Sequence, residues 1–383
     1  MMNRSPAARV VAALALLTLG CQDGETPFDP PEAARFEAAL DQMHEEQQAV
    51  GSLLAFDDGT HVFRGARGAA DLAAGRAMTV DTPYRTASIA KTFTGALILS
   101  LHEEGTLSVE DPVSRFVDWV PNGENITLRM LLTHTSGLRN YTYATGYLPL
   151  IEANGGDVTY EEMVRVALED GPEFEPGTDW GYCNTGYLLL AHIAEQLTGR
   201  TLYEEVRDRF FVPLGITRTR PIDLRDVDPE LARSYVVGED GPIQVAGQVW
   251  TLHPADGGWM TTLEEMAIWA RHFLGGRLHS AETLALARHP EGGPFLDSVA
   301  QSFGLEAGGY ALGFIEASDA TLGPLYAGAG NGDGTRSFVG YLPEHDIAFA
   351  LFVDVGDSRV PIVETLSAAG PALAALRAHV NAP

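Results

Sequence analysis

The segment Pro83-Tyr84-Arg85-Thr86-Ala87-Ser88-Ile89-Ala90-Lys91-Thr92-Phe93 decides how this chain is read. It opens a helical pattern that continues as TFTGALILSLHEEG, and it sets Ser88 and Lys91 three residues apart. Positions i and i+3 share a helix face, so the amine can reach the hydroxyl. A serine hydroxyl is a poor nucleophile until a base takes its proton, and a helix N-terminus favours the negative charge that results. Arginine cannot be that base, because its guanidinium keeps its proton in proteins, whereas burial lowers the pKa of a lysine. The spacing S-x-x-K is weak evidence alone, since a helix cap followed by a solvated lysine has the same pattern. The count of cations strengthens it: of 25 Lys and Arg residues, 24 are Arg and the one Lys is Lys91.

A second constellation is Pro176-Gly177-Thr178-Asp179-Trp180-Gly181-Tyr182-Cys183-Asn184-Thr185-Gly186-Tyr187. A tyrosine hydroxyl can pass a proton between nucleophile and leaving group, and an amide two residues on can hold the lysine or a substrate carbonyl. The structural alternative for Tyr182 is a core ring with a wet tip.

Working outward, the chain of 383 residues carries 52 Asp and Glu, for a formal charge of −27. That excludes an ordinary nucleic-acid protein, which needs a basic face for phosphate. With 45% hydrophobic and 20% charged residues the chain can bury a core, which disordered acidic tails cannot. Residues PEAARFEAALDQMHEEQQ from Pro31 have helical spacing, and two apolar runs around Asp58-Gly59 signal a hairpin. From about Asp81 to Ser302 helical patterns dominate. Strand-like runs return as YALGFIEA, LYAGAG, TRSFVGYL and DIAFALFVDV, with a turn at Pro343-Glu344-His345, and an apolar helix closes the chain from about Pro361 to His379. These patterns predict an α+β fold: an antiparallel sheet built from both chain ends, residues 32–80 and 303–383, with flanking helices. A mainly helical region, 81–302, is inserted, and 32–383 forms one catalytic unit.

The first twenty residues place Arg4 and Arg9 before an uncharged apolar run from Val10 to Gly20, followed by Cys21. Eleven such residues are too few to span a bilayer, so residues 1–20 read as a signal peptide. Gly20-Cys21 resembles a bacterial lipoprotein cleavage site, which makes Cys21 the expected lipidation site and the protein an exported, membrane-anchored one. An ordinary secretory signal with an incidental cysteine is the alternative. Residues 21–31 read as a tether. A lipidated Cys21 leaves Cys183 as the only other cysteine, with no intramolecular disulfide.

The two constellations, taken with Leu131-Leu132-Thr133-His134-Thr135-Ser136-Gly137-Leu138, Pro213-Leu214-Gly215-Ile216 and Gly257-Gly258-Trp259-Met260-Thr261-Thr262, resemble the serine β-lactamase-like superfamily. The match is to its branch of class C β-lactamases, D-Ala-D-Ala carboxypeptidases and related esterases, over about residues 33–378. The resemblance implies a β-lactamase/transpeptidase-like fold in which Ser88 is the acylated nucleophile. Lys91 is then its proton acceptor or the tuner of the general base, Tyr182 the base that later protonates the leaving group, and Asn184 the residue that positions substrate and lysine. Cys183 stands where the family often has Ser. As a nucleophile in its own right it would want a His partner, which the neighbouring sequence does not suggest.

The family also has a Lys or His, any residue, then Gly on the strand edging the site. Here that place reads Gly328-Ala329-Gly330, so the cation that binds a substrate carboxylate is absent. Its loss is expected to raise the tyrosine pKa and, among the ester, D-amino-acid peptide and β-lactam-like substrates that the resemblance implies, to favour an ester or peptide amide. Arg336 substitutes only if its side chain falls on the face of Gly328. Gly330 remains, and the backbone N–H of Asn331 is expected to pair with that of Ser88 as an oxyanion hole.

Three smaller signals have bland readings. His134 is expected to be a buried structural histidine, and Asn331-Gly332-Asp333-Gly334 a turn, since it lacks the further carboxylates of a calcium loop. The eleven His show no paired metal-ligand spacing, so no metal and no cofactor are predicted. The expected partner is a small-molecule or peptidoglycan-derived peptide substrate. The competing function is a non-catalytic relative that binds peptidoglycan peptides or a protein partner, motivated by the lost cation.

Overall fold

The computed structural model describes residues 26–382 apart from 224–226, 239–240, 246–252, 293–296, 298–299, 302–303 and 357–366. The signal and lipidation expectations and the first part of the tether (residues 1–25) lie outside the described residues, as does the start of the expected closing helix.

Helix α1 (Pro30–Glu46) begins where Asp29 accepts a hydrogen bond from the N–H of Glu32 and two prolines occupy the first turn. Phe36, Ala39, Leu40 and Met43 recur at helical spacing and are buried. The hairpin β1 (Gly51–Asp57) and β2 (His61–Asp71) turns at Asp58 and Gly59. Helices α2 (Ala90–Glu103), α3 (Leu128–Thr133), α4 (Asn184–Thr198) and α5 (Leu263–Trp269) fill the middle of the chain. Then come β3 (Glu306–Tyr310), β4 (Ile315–Asp319), β5 (Gly323–Gly332), β6 (Thr335–Leu342) and β7 (Ile347–Val353), and helix α6 (Gly370–Val380). The expected YALGFIEA strand is two strands, because Ala311–Phe314 form the bend between β3 and β4.

These strands form one sheet in the order β2, β1, β7, β6, β5, β4, β3, so both chain ends do build it. All these pairs are antiparallel. One edge adds a short parallel pair, where the two residues Thr26–Pro27 run alongside β2.

Both faces of the sheet are covered. Along β7, Phe349, Leu351 and Val353 pack with α1 and α6, while Ala348, Ala350 and Phe352 pack with the helical region. The period-2 alternation of a strand thus serves two cores. Helix α2 is the central one, with eleven of its fourteen residues buried, including Lys91. The 81–302 region is not wholly helical. Tyr84–Arg85, Trp259–Thr261 and Arg220–Pro221 form a separate three-stranded sheet that enters the turn before α2.

Candidate active site

Ser88 lies in a single 3₁₀ turn, Ala87–Ile89, that runs directly into α2. Two hydrogen bonds fix that turn. The N–H of Thr86 donates to Trp259 O at 3.0 Å, Ser337 Oγ on β6 donates to Thr86 O at 2.7 Å, and Ala87 is held at φ 44°. A left-handed alanine costs roughly 1 kcal/mol or more and persists where the surroundings impose it. Ser88 is half-buried, so its hydroxyl stays within reach of a substrate.

One helical turn on, Lys91 is fully buried, and its Nζ donates to Ser88 Oγ at 3.2 Å and to Asp256 O at 2.9 Å. Burial brings its pKa down to about 8, against the opposing pull of Asp256. The ammonium also lies 5.0 Å from the centre of the Tyr182 ring. Tyr182 shares a side-chain hydrogen bond with Ser88, and burial holds its pKa above the ordinary phenol value. Ser88, Lys91 and Tyr182 therefore converge.

Asn184 begins α4, and its N–H donates to Asn140 Oδ1 at 3.3 Å. Its own Oδ1 is buried without a partner, and the second bond of Lys91 goes to Asp256 O. Sequence reasoning missed Asp256, 165 residues from Lys91 along the chain. Its carboxyl accepts from Tyr141 at 2.9 Å and is 2% exposed. Nothing in a lone Asp before Gly257-Gly258 signals that placement.

His134 is buried, with its ring centre 4.5 Å from that of Tyr182 and 4.4 Å from that of Tyr310. Its Nδ1 accepts the backbone N–H of Cys183 at 3.1 Å. A histidine thus stands closer to Cys183 than its neighbours in sequence suggest, but it does not touch the thiol. That group donates to Leu138 O, and burial pushes its pKa up to about 11. Such a thiol is inert.

The opposite wall is β5. Strand β4 pairs only with Gly323–Ala327, so from Gly328 to Gly332 β5 has β6 on one side and, among the described residues, no strand on the other. Gly330 lies against the nucleophile turn: a methyl group there would stand 2.3 Å from Thr86 O, so only glycine fits. Beside Gly328, a methyl group would meet Thr92 Cγ2 at 3.0 Å and Val339 Cγ1 at 3.2 Å. The place of the family's cation is thus already filled by apolar atoms. The suggested substitute is corrected too. Arg336 pairs with Asn331 in register, while Gly328 and Gly330 pair with Val339 and Ser337, so Arg336 points through the other face, where it bonds Gln47. Asn331–Gly334 form the end of β5 and a turn. Among the described residues no cluster of His, Cys, Asp and Glu could hold a metal.

A serine and a buried lysine on one helical turn, a tyrosine bonded to the serine and an open sheet edge opposite define a serine hydrolase site. The family described as Beta-lactamase matches residues 36–364, and the chain belongs to it. It is similar to Penicillin-binding protein 4 of Amycolatopsis lactamdurans, 28% identical over 86% of each chain. It is also similar to Esterase EstB of Burkholderia gladioli, 31% identical over 56% of this chain and 57% of that one. Several other curated relatives are spanned over half of their length or less. A crystal structure of a D-stereospecific amidohydrolase from Streptomyces sp. superposes with a TM-score of 0.71 at 25% identity, covering 88% of this chain and 98% of that one.

Proposed function

We propose that the protein hydrolyses an ester or a peptide-type amide through an acyl-enzyme on Ser88, as an exported enzyme. The observation that carries this is the contact of Lys91 Nζ with Ser88 Oγ at 3.2 Å, made by an amine whose pKa is about 8. Neutral Lys91 takes the Ser88 proton as Oγ attacks the carbonyl carbon, and the oxyanion is received by the N–H groups of Ser88 and Asn331. As the bond to the leaving group breaks, Tyr182 gives it a proton and recovers one from Lys91, so the free product leaves with no net charge change on the enzyme. Water then repeats the sequence in reverse and releases the acid. The raised pKa of Tyr182 suits a donor better than a resting base. The unpartnered Oδ1 of Asn184 is free to accept an N–H of the substrate.

The similarity to an esterase and to a D-stereospecific amidohydrolase supports these two substrate classes, as does the apolar filling beside Gly328. Export rests on residues 1–20, and membrane attachment on a lipid at Cys21. The test is labelling of the intact protein with a fluorophosphonate, alongside turnover of short-chain p-nitrophenyl esters. Labelling lost in Ser88→Ala supports the reading, and an unlabelled, inactive wild type sinks it. Palmitate incorporation abolished by Cys21→Ser checks the anchor, and incorporation that persists in that variant refutes it.

A further inference from the structure

Arg85 lies three residues before Ser88, on the short strand that pairs with Trp259–Thr261, opposite Met260. It lines a small open cleft whose other walls include Ala87, Gly332, Asp333 and Thr335. Two of those walls belong to the catalytic site, since Ala87 precedes the nucleophile and Gly332 follows Asn331.

The Arg85 side chain forms no ion pair and no hydrogen bond with a described residue, and its Nε is buried without a partner. The charged neighbour that acts on it most is Arg233, of the same sign. Arg233 itself has Asp71, Arg64 has Glu264, and Arg271 has both Asp57 and Asp346. Acids outnumber cations 52 to 25, so scarcity does not explain the lack of a partner among the described residues. A partly buried guanidinium left unpaired costs stability unless something else satisfies it.

The direction of the substrate follows from β5. Tyr310 pairs with Ile315, which pairs with Ala327, so the Tyr310–His134–Tyr182 cluster stands at the Ala327 end of the free edge. The Arg85 cleft stands at the Gly332 end. A leaving group protonated by Tyr182 departs toward the first end, and the acyl half extends toward the second.

We propose that Arg85 is an anion subsite for a carboxylate on the acyl half of the substrate. The proposal rests on the acyl-enzyme reading above and adds the substrate class. Arg85 and Ser88 are separated by at most about 11 Å of chain, which suits a short dicarboxylic monoester or an acyl-side acidic residue. With Asp333 among the cleft's walls, a monoanion is favoured over a phosphate. The absent cation at Gly328 belonged to the leaving-group end, so this chain moves anion recognition from one half of the substrate to the other.

The experiment compares p-nitrophenyl glutarate with p-nitrophenyl butyrate, which share a leaving group and differ by the acyl carboxylate. The readout is the ratio of their kcat/KM values, which cancels any general effect on folding or on the nucleophile. The ratio is expected to favour glutarate in the wild type, to fall about 10- to 100-fold in Arg85→Gln, and to recover in part in Arg85→Lys. Added salt should lower the wild-type ratio and leave that of Arg85→Gln flat. A ratio unchanged by Arg85→Gln overturns the proposal. Should the protein hydrolyse neither ester, the acyl-enzyme reading fails, and calorimetric binding of free glutarate decides the subsite separately. Binding lost in Arg85→Gln supports it, and binding that is absent from the wild type or equal in both removes it.

Discussion

Lys91 in α2 and Asp354 at the end of β7 are both fully buried, and burial drives both pKa values to about 8, one downward and one upward. Their neighbours differ. Lys91 faces the hydroxyl of Ser88 and the ring of Tyr182 at the mouth of a site. Asp354 faces backbone: its Oδ1 accepts the N–H of Gly51 at 2.6 Å, and its N–H returns to Gly51 O. Burial disfavours the charged form of each, and only the contacted atoms separate a base from a structural acid. The same pH should switch turnover in one region and stability in the other.

The largest expected effect breaks the likeness from the Lys91 side. Lys91→Met keeps the length of the side chain without a base, and Lys91→Arg keeps the charge without a removable proton. Each is expected to lower kcat/KM for a p-nitrophenyl ester by about 10³-fold or more while the circular dichroism spectrum stays native. Near-normal turnover in either would make Lys91 a structural residue like Asp354. Tyr182→Phe comes next. Removing the proton donor should cost an amide substrate about 10²-fold or more, and a p-nitrophenyl ester much less, because nitrophenolate leaves without a proton. Equal losses on both would show that Tyr182 acts before the leaving group departs.

Part of this was legible in the sequence. Ser88 and Lys91 fall on one helical turn, so spacing alone brings them together, and the strand patterns at both chain ends do form one sheet. What escaped depends on long-range packing. Asp256 reaches Lys91 through the strand Trp259–Thr261, whose three residues are too few to show an alternation. The face chosen by Arg336 depends on its register against Asn331, which a hairpin turn sets and composition does not. The apolar filling beside Gly328 involves Thr92 Cγ2 and Val339, on a helix and a strand that the pattern cannot bring together.

The third prediction sharpens the comparison by pH. If Lys91 must be neutral to act, kcat/KM should rise tenfold per unit below about pH 8 and level off above it. A profile flat from pH 6 to 9 would remove Lys91 as the proton acceptor, and Asp354→Asn should leave the midpoint where it is.

The last comparison lies in stability, and its sign differs between the two groups. The folded pKa of Asp354 is raised from 3.8 to about 8, so between those values the folded chain holds a proton that the unfolded chain has lost. Its contribution is fully present below pH 3.8 and is lost as pH rises toward 8, by about 1.4 kcal/mol per unit at most. The folded pKa of Lys91 is depressed from 10.5 to about 8, so there the unfolded chain holds the extra proton, and stability recovers as pH rises through that window. Together the pair places a minimum near pH 8. Denaturant titrations of wild type and Asp354→Asn should therefore diverge progressively from about pH 4 to pH 8, with the variant gaining. Asn keeps an acceptor for the Gly51 N–H and has nothing to ionise. Curves that stay parallel across that range would mean that Asp354 is ionised in the folded chain, and that burial alone does not set the midpoint it shares with Lys91.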